Sequence, residues 1–510
     1  MRAARTLLGA AAGIALVTVA ARAVGFGRTA VFSRTVELTC LGDTYTVANA
    51  VPNVVFEIVA GGALASLVVP VLAPAVEAGD RAAASRTVSA LLSWTLLVLT
   101  PVALVGLATA PLLVRGLLGS SECGPAAQTV GTAMLRVFSP QIVLYGVAVV
   151  LTGVLQAHRR FLGPALAPLL SSVVVAGSYL LYALRGRQDL DTLSRSQELV
   201  LSVGTTAGVA VLALVLVVPL RGTGLRLRPT LTFPPGVAGR VRRLAAAGVA
   251  GLAAQQVALV VALRLAADSA RGGPARFTVA TALFLLPWAV LAVPIATSAF
   301  PRMAAADDAG YADVTGRAVR AVVVLSLAGA AALAAVAVPV ARLLDPDQAA
   351  ALAGAVRAFA PGLLGYGLLA LLTRALYARG QGRAAGTATV AGWLAVAAAD
   401  VVLVLGTDLA PVTALGLGNT VGMTVAALLL VRAVRRRSPG ALQGSGRTAA
   451  TATVAALVAG GALTALPLPA DPAVPATVLL GAGLAGAATL LYAGLLRVAD
   501  PAALRGLRRG

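Results

Sequence analysis

Eight ionisable side chains lie inside stretches of this sequence that are otherwise apolar. Six are arginines and two are acids: Arg22, Arg28, Glu57, Arg136, Arg264, Arg357, Arg374 and Asp400. A charge at the centre of a membrane helix is costly and is usually retained for a ligand pathway or a charged partner. Pairing within the chain cannot neutralise such a surplus of arginine. Several guanidinium groups are therefore predicted to bind an anion, and their planar fork of donors suits phosphate.

The depth of each residue separates these candidates. Arg22 lies about fourteen residues into its helix, roughly 21 Å, which is too deep for its charge to reach the interface easily. Arg264 and Arg374 lie near the ends of their apolar stretches, where a long side chain can extend to the headgroups. Glu57 and Asp400 are predicted to form either an ion or proton site or structural polar contacts.

The residue inventory excludes several reaction classes. All forty basic residues are arginine, so a Walker A loop and a Schiff-base lysine are absent. The single histidine, His158, stands beside two arginines in a short loop, which argues against a catalytic triad or a histidine metal site. No metal, cofactor or enzymatic activity is predicted. Cys40 and Cys123 fall on the same face, where a disulfide is an alternative to the simpler expectation of two separate thiols.

The elements that position these residues are apolar helices. A helix needs about 20 residues to cross the hydrocarbon core. Fourteen stretches meet that length, and they lie near residues 8–34, 44–73, 88–114, 127–156, 161–184, 199–220, 244–267, 277–301, 318–341, 349–377, 385–406, 410–431, 448–466 and 474–496. The chain is 59% hydrophobic and only 12% charged. These patterns predict an all-α polytopic membrane protein without a soluble domain.

The net charge of +21 is explained by topology and not by nucleic-acid binding. In the fourteen-span arrangement, most loop arginines lie on one side of the membrane, with the largest group in residues 221–243. Short loops rich in basic residues mark the cytoplasmic side, so both termini are predicted to be cytoplasmic. The same charge attracts anionic lipid headgroups. The sequence therefore predicts a multi-pass protein of the cell membrane that does not bind nucleic acid.

The segment that contains the first two arginines resembles the start of a known family. Gly25 and Gly27 lie between Arg22 and Arg28, and paired glycines permit a helix to bend. The stretch 21–75 resembles the opening of the MurJ/MviN family of lipid II flippases, in the multidrug/oligosaccharidyl-lipid/polysaccharide exporter superfamily. The residues that match the family pattern in order are Arg22, Gly25, Arg28, Asp43, Pro52, Asn53, Gly62, Ala63 and Pro70.

Later segments extend the resemblance. Residues 286–303 resemble the family's eighth helix, and Leu376 to Gly380 resemble the loop after its tenth. The chain departs from the pattern at Phe56 and Glu57, where the family often carries an arginine. Internal echoes, Pro70 with Pro301 and Ala157 with Ala378, predict two similar lobes, as in rocking transporters.

The predicted organisation follows from these echoes. An N-terminal lobe (residues 1–220, six spans) is followed by a basic cytoplasmic linker (221–243) and a C-terminal lobe (244–433, six spans). Residues 434–510 contain two appended spans and a basic tail. The two six-helix lobes are expected to be pseudo-symmetric.

The resemblance implies a transporter that flips lipid II, an undecaprenyl-pyrophosphate-linked precursor, to the outer leaflet by alternating access. It implies a pyrophosphate site at Arg22 and Arg28, and Asp43, which belongs to the same pattern, is a further candidate for substrate binding. Arg136, Arg264 and Arg357 are candidates to compensate for the family arginines that this chain lacks, and the paired glycines Gly25 and Gly27 are a candidate hinge. The expected partners are the lipid-linked substrate, membrane lipids and proteins of cell-wall synthesis and division.

Three alternatives stay open at this point. The chain could flip another polyprenyl-pyrophosphate-linked glycan. A drug or cation antiporter of the same superfamily would need an acid-lined cavity, and the arginine surplus argues against one. A non-transporting scaffold for wall synthesis would need no intramembrane arginine, and the short loops give it little surface.

Overall fold

A computed structural model describes the backbone of residues 2–58, 68–119, 122–235, 237–269, 271–469 and 473–508. Within these ranges it describes all side chains except those of residues 2–16, 18–19, 240, 242–248, 269 and 505–508. The chain divides into two compact units. Unit 1 contains residues 1–256 and 270–275, and unit 2 contains residues 257–269 and 276–510. The described residues form helices, turns and loops without a β-strand, so the predicted all-α fold is confirmed.

Unit 1 is a bundle of long helices. In chain order they are α1 (Arg2–Thr35), α2 (Cys40–Phe56), α3 (Val68–Glu77), α4 (Arg81–Ala108), α5 (Ala110–Leu118), α6 (Gly124–Phe138), α7 (Gln141–Ala157), α8 (Leu162–Leu184), α9 (Arg195–Arg221) and α10 (Val237–Ser269), whose end passes into unit 2. The closest packing joins α8 to α9 and to α1, and α7 to α4 and α9. Small residues permit it: a Cβ on Gly208 would lie 2.3 Å from Val175. Such contacts hold helices together in lipid, where apolar surface alone gives no driving force.

Unit 2 repeats this order and adds a C-terminal extension. Its helices are α11 (Gly273–Pro287), α12 (Val293–Ala305), α13 (Asp308–Ala335), α14 (Ala337–Leu344), α15 (Ala349–Phe359), α16 (Gly362–Ala378), α17 (Gly382–Gly406), α18 (Pro411–Arg437), α19 (Ser445–Thr464), α20 (Val474–Ala499) and α21 (Pro501–Arg508). A π-helical turn, Trp288–Ala292, joins α11 to α12. The extension, α19 and α20, packs against α13.

Four helix breaks mark the repeat. The helix pair α4–α5 breaks at Thr109 and the pair α13–α14 at Val336. The sequence predicts one span over 88–114 and another over 318–341. In the structure each of these spans consists of two helices. Pro111 explains the restart of α5, since proline is favoured in the first turn of a helix. The pairs α6–α7 and α15–α16 break just before Gln141 and Gly362, each preceded by a proline.

The fourteen predicted spans all correspond to helical segments in the described residues. In the part of the chain that the structure describes, ten helical segments are long and apolar enough to cross a bilayer; two of them join α6 to α7 and α11 to α12. The pair α15 and α16, bent by 42°, forms an eleventh candidate. The other three predicted spans correspond to α1, to α2 with α3, and to α19. Residues 59–67, which include the Gly62-Ala63 part of the family pattern, lie outside the described residues.

A disulfide corrects the simpler expectation for the two cysteines. Cys40 begins α2 and Cys123 immediately precedes α6, and their sulfur atoms are bonded, with a Cα–Cα distance of 5.4 Å. The expectation of two separate thiols is wrong because the first residue of α2 and the residue before α6 meet at one end of unit 1, a contact across 83 residues that local sequence cannot show.

Candidate functional site

Polar and aromatic side chains form a cluster in unit 1, near Arg28. The hydroxyl of Tyr45 lies 2.7 Å from the hydroxyls of both Tyr179 and Thr205, so α2, α8 and α9 are joined through one buried hydrogen-bonded group. The guanidinium of Arg28 lies within electrostatic range of Tyr45, Tyr179 and Tyr145. The cluster therefore combines hydroxyl groups with one nearby cationic side chain, and both kinds of group can donate hydrogen bonds to an anion.

A second part of the cluster connects α2 to α7. The Tyr145 hydroxyl donates to Oδ1 of Asn53 over 3.1 Å, and the Tyr145 ring packs against Phe56 with centroids 4.3 Å apart. Glu57, the next residue, is exposed at the end of α2 and acts electrostatically on Tyr145. We name Arg28, Tyr45, Asn53, Tyr145, Tyr179 and Thr205 the unit 1 polar cluster.

Unit 2 fills the corresponding position with aromatic rings. Tyr366 lies five residues after Pro361, as Tyr145 lies five residues after Pro140. Its ring contacts Trp288 at 4.8 Å, Phe284 at 5.6 Å and Trp393 at 6.1 Å between centroids. The two units thus share their helix order but differ in the side chains at this position. The cationic side chain of the cluster, Arg28, belongs to unit 1.

The structure leaves Arg22 and Arg28 without a carboxylate partner among the described residues. Arg22 is exposed and Arg28 is half-buried. On one continuous helix, residues six apart point about 120° from each other. Both side chains can therefore reach one ligand only if the ligand is extended or the helix bends.

Helix α1 is unbroken through Gly25 and Gly27. No atom lies within 4 Å of a Cβ built on either glycine. Neither position is therefore kept as glycine by a steric requirement of this conformation, which leaves flexibility as the property that distinguishes them from alanine.

Asp43 is buried and holds the start of α11. Its two carboxylate oxygens accept from the backbone N–H groups of Gly272, at 2.6 Å, and Ala275, at 3.0 Å. All three residues belong to unit 1. A carboxylate at a helix N-terminus satisfies unpaired donors and is favoured by the helix dipole. The geometry gives Asp43 a capping function, which sequence reasoning did not consider.

Arg136 and Arg357 end α6 and α15. Each lies in the last turn of its helix, where a cation complements the helix dipole. Arg136 is exposed, whereas Arg357 is half-buried and its Nε has no hydrogen-bond partner among the described residues.

Arg264 and Arg374 have local partners. Arg264 forms an ion pair with Asp268, one turn later in α10. Arg374 donates through Nη1 to the carbonyl of Ala370 over 2.7 Å, within its own helix. The unneutralised arginine charge inside the predicted spans is therefore smaller than the sequence suggests, because Asp268 neutralises Arg264.

Asp400 lies in α17 with 1% of its surface exposed. Its Oδ1 and the Nδ2 of Asn419 are both buried without a hydrogen-bond partner in the part of the chain that the structure describes. The carboxylate packs against the bare backbone of Gly418, where a Cβ would lie 1.9 Å from Oδ1. No group of three or more His, Cys, Asp or Glu side chains among the described residues could hold a metal ion.

The tyrosines of the unit 1 polar cluster were missed by sequence reasoning. They lie in apolar stretches and resemble ordinary interfacial or core aromatics. One signal was available: a buried tyrosine hydroxyl needs a hydrogen-bond partner, and three spans of one unit each contain such a tyrosine within about ten residues of a polar neighbour.

Comparison with known proteins identifies the family. The profile of the family described as "Lipid II flippase MurJ" matches residues 34–470. The chain belongs to this family. The MurJ family consists of membrane transporters, so the chain is a multi-pass membrane protein and not an enzyme.

Curated MurJ relatives cover much of the chain at modest identity. A lipid II flippase MurJ of Burkholderia cenocepacia is 26% identical over 381 residues, which are 71% of this chain and 71% of the relative. A probable lipid II flippase MurJ of Rhizobium meliloti is 27% identical over 338 residues, or 64% of this chain and 61% of the relative.

Solved structures agree on the fold. A MurJ flippase in an inward closed conformation superposes with a TM-score of 0.75 at 15% identity, covering 95% of this chain and 98% of that one. An inward-facing multidrug transporter of the MATE family gives a TM-score of 0.66 at 16% identity, covering 83% and 96%. The predicted fold class, an all-α polytopic membrane protein, is confirmed.

Proposed function

We propose that this MurJ family member flips lipid II, the undecaprenyl-pyrophosphate-linked peptidoglycan precursor, from the cytoplasmic to the outer leaflet by alternating access. The observation that carries the proposal is Arg28, a cation with no carboxylate partner among the described residues, which lies within electrostatic range of three tyrosines in a MurJ-type fold. Such a group suits a diphosphate better than an organic cation.

In this proposal Arg28 and Arg22 bind the pyrophosphate. Arg28 would hold one phosphate together with the Tyr145 and Tyr179 hydroxyls, and the exposed Arg22 would reach the second. Arg136 and Arg357, at two equivalent helix ends, are proposed as secondary contacts to the substrate, and Arg264 as a weaker one because Asp268 neutralises it. Asp43 would act indirectly, by fixing the start of α11.

The proposed organisation keeps the boundaries drawn from the sequence. Residues 1–220 and 244–433 would form the moving lobes, 221–243 the linker, and 434–510 the appended helices and tail. Both termini would be cytoplasmic, since the arginine-rich loops lie on that side in the fourteen-span arrangement. Gly25 and Gly27 are proposed to act as the hinge of α1. Proteins of wall synthesis and division are proposed partners.

Energy for the cycle is proposed to come from an ion gradient or the membrane potential. One elementary charge moved across 100 mV gains about 2.3 kcal/mol. Asp400 is a proposed ion or proton site because its carboxylate and the Asn419 amide are buried without hydrogen-bond partners among the described residues. Glu57, exposed beside Tyr145, is the second proposed site.

The function can be tested in proteoliposomes that contain purified protein and fluorescent lipid II in one leaflet. The rate at which the probe becomes exposed to an impermeant quencher should rise with the amount of protein. In Arg28→Ala this rate should be at least tenfold lower. The matched control is Arg34→Ala, which removes an exposed arginine from the last turn of the same helix. Equal flipping by Arg28→Ala would refute the arginine site.

The same vesicles separate the alternatives. Flipping of an undecaprenyl-pyrophosphate glycan other than lipid II, with lipid II excluded, would identify a different lipid-linked substrate. Uptake of an organic cation without lipid flipping would identify an antiporter, whose fold this chain also resembles. Absence of all transport by folded protein would favour a scaffold.

A further inference from the structure

Residues 225–233, which we name the strap, lie along the first turns of α4. The backbone N–H groups of Arg226, Arg228 and Thr230 donate to the hydroxyls of Ser85, Ser89 and Ser93, respectively, at 3.2, 3.0 and 3.1 Å. The repeat distances of the two segments match: four residues of a helix rise about 6 Å, and two residues of an extended chain span about 6.6 Å. Every second residue of the strap thus meets every fourth residue of the helix.

Along the strap, apolar side chains alternate with the residues whose backbone N–H groups bind the serines. Leu225 and Phe233 pack against the apolar cluster that contains Val88. Leu227 and Leu231 remain 41% and 49% exposed, and the carbonyl of Leu231 accepts from the Trp94 indole over 2.9 Å. Trp94 lies six residues into the span predicted near 88–114, and tryptophan is typical of the lipid interface of membrane helices. With that span in the bilayer, the strap lies near the level of the lipid headgroups.

Four arginines line the groove between the strap and α4. The groove has a volume of about 560 Å³, and its walls are Arg81, Ala82, Ser85, Arg86, Ser89, Gly224, Arg226, Arg228 and Thr230. No acidic residue contributes to the walls. None of the four guanidinium groups has a carboxylate within ion-pair distance among the described residues. Such a concentration of unneutralised positive charge raises the local potential and attracts anions to the groove.

Gly224 closes one end of the groove. Its φ of +72° turns the chain from α9 into the strap, and a Cβ there would lie 4.0 Å from the guanidinium of Arg81. With the strap backbone tied to three serines, Arg226 and Arg228 are held beside Arg81 and Arg86 before any ligand arrives. Preorganisation of this kind reduces the entropy lost on binding.

We propose that this groove is a binding site for a phosphate group, separate from the unit 1 polar cluster, and that its occupant is the headgroup of an anionic phospholipid. Guanidinium groups bind phosphate through paired charge-assisted hydrogen bonds. The interfacial position of Trp94, Leu227 and Leu231 favours a lipid over a soluble phosphate. The site would fix a lipid against unit 1 whether or not the protein transports lipid II.

The test is lipid binding to the full-length protein in detergent, measured by native mass spectrometry. Wild-type protein should retain phosphatidylglycerol in preference to phosphatidylcholine. Arg226→Gln/Arg228→Gln should weaken retention at least ~10-fold, given the strength of charge-assisted bonds. Arg383→Gln/Arg497→Gln, which removes the same charge from exposed residues of α17 and α20, should leave it unchanged. Equal losses in both double variants, or no loss in the first, would overturn the site.

Two further arms sharpen the result. Ser85→Ala/Ser89→Ala/Ser93→Ala keeps every arginine but frees the strap, and it should also weaken phosphatidylglycerol retention; unchanged retention would contradict the role of the strap. Inorganic pyrophosphate is the soluble probe. If it binds at micromolar concentration, is lost in Arg226→Gln/Arg228→Gln but not in Arg28→Ala, and the anionic lipid does not bind, the lipid is the wrong occupant. These readouts do not depend on flipping, so failure of the transport proposal would leave them intact.

Discussion

Arg136 and Arg357 occupy the same position in the two units, each four residues before the proline at which its helix pair breaks. The repeat therefore preserves a cation at two helix ends while the surroundings differ. Arg136 is exposed, and Arg357 is half-buried with an unpaired Nε among the described residues.

This difference predicts unequal effects of substitution. Arg136→Gln should lower the free energy of unfolding by no more than the interaction of a surface cation with the helix dipole, about 0.3–1 kcal/mol. It should change the flipping rate more than the thermal stability. Arg357→Gln should raise the melting temperature or leave it unchanged, because a partly desolvated charge is removed. Flipping rates and thermal unfolding of both variants check this. A large loss of stability in Arg136→Gln would show that its role is structural.

Removal of either α1 arginine should weaken pyrophosphate binding. A charge-assisted bond contributes about 1.5–3 kcal/mol, so Arg22→Ala or Arg28→Ala should weaken binding roughly 10- to 150-fold. Arg22→Lys should recover part of the loss, since lysine keeps the charge but not the fork. Complementation of a flippase-depleted strain, with membrane levels checked by blotting, measures the effect. Full complementation by both alanine variants would make these arginines structural.

Gly25→Ala/Gly27→Ala tests the hinge without a steric complication. Both sites have open space, so alanine should stabilise α1 by up to about 1 kcal/mol per site through its helix propensity. If α1 must bend, transport should fall although the protein melts higher. Gly177→Ala is the matched control, since Gly177 in α8 also has no atom within 4 Å of its Cβ position. Normal transport by the double variant would exclude a hinge at these glycines.

The disulfide should stabilise unit 1 measurably. It closes a segment of 83 residues, and a native disulfide contributes typically about 2–5 kcal/mol. Cys40→Ser/Cys123→Ser, or reduction of the wild type, should therefore lower the midpoint of thermal unfolding. Mass spectrometry of unreduced peptides detects the bond directly. Free thiols at both positions in protein from membranes would contradict it.

The orientation can be tested with single-cysteine reporters in a Cys40→Ser/Cys123→Ser background. Asp191→Cys should react with an impermeant thiol reagent in intact cells, and Thr232→Cys only after the membrane is opened. Both positions are exposed, so access depends on the side of the membrane alone. The reverse pattern would invert the proposed topology.

The helices could be predicted because each is encoded locally, by a run of apolar residues of sufficient length. The arginines of α1 could be found for the same reason, since charge within an apolar run is visible in one dimension. The contacts of Asp43, the pair Arg264–Asp268 and the strap on α4 depend on where separate segments meet. Arg276 shows this limit well, since it is 4% exposed and pairs over 2.6 Å with Asp345, which is distant in sequence.

The Cys40–Cys123 bond and the Arg276–Asp345 pair occupy equivalent corners of the two units. Each joins the beginning of one helix (α2 or α11) to the loop after the short helix of a broken pair (α5 or α14). The ionic corner can close as soon as unit 2 folds, in any redox environment. The covalent corner must wait until its cysteines have crossed to an oxidising compartment. In the proposed topology, unit 1 therefore reaches its final covalent structure only after its outer loops have crossed the membrane. A reducing growth medium should delay this step in unit 1 and should not affect the folding of unit 2.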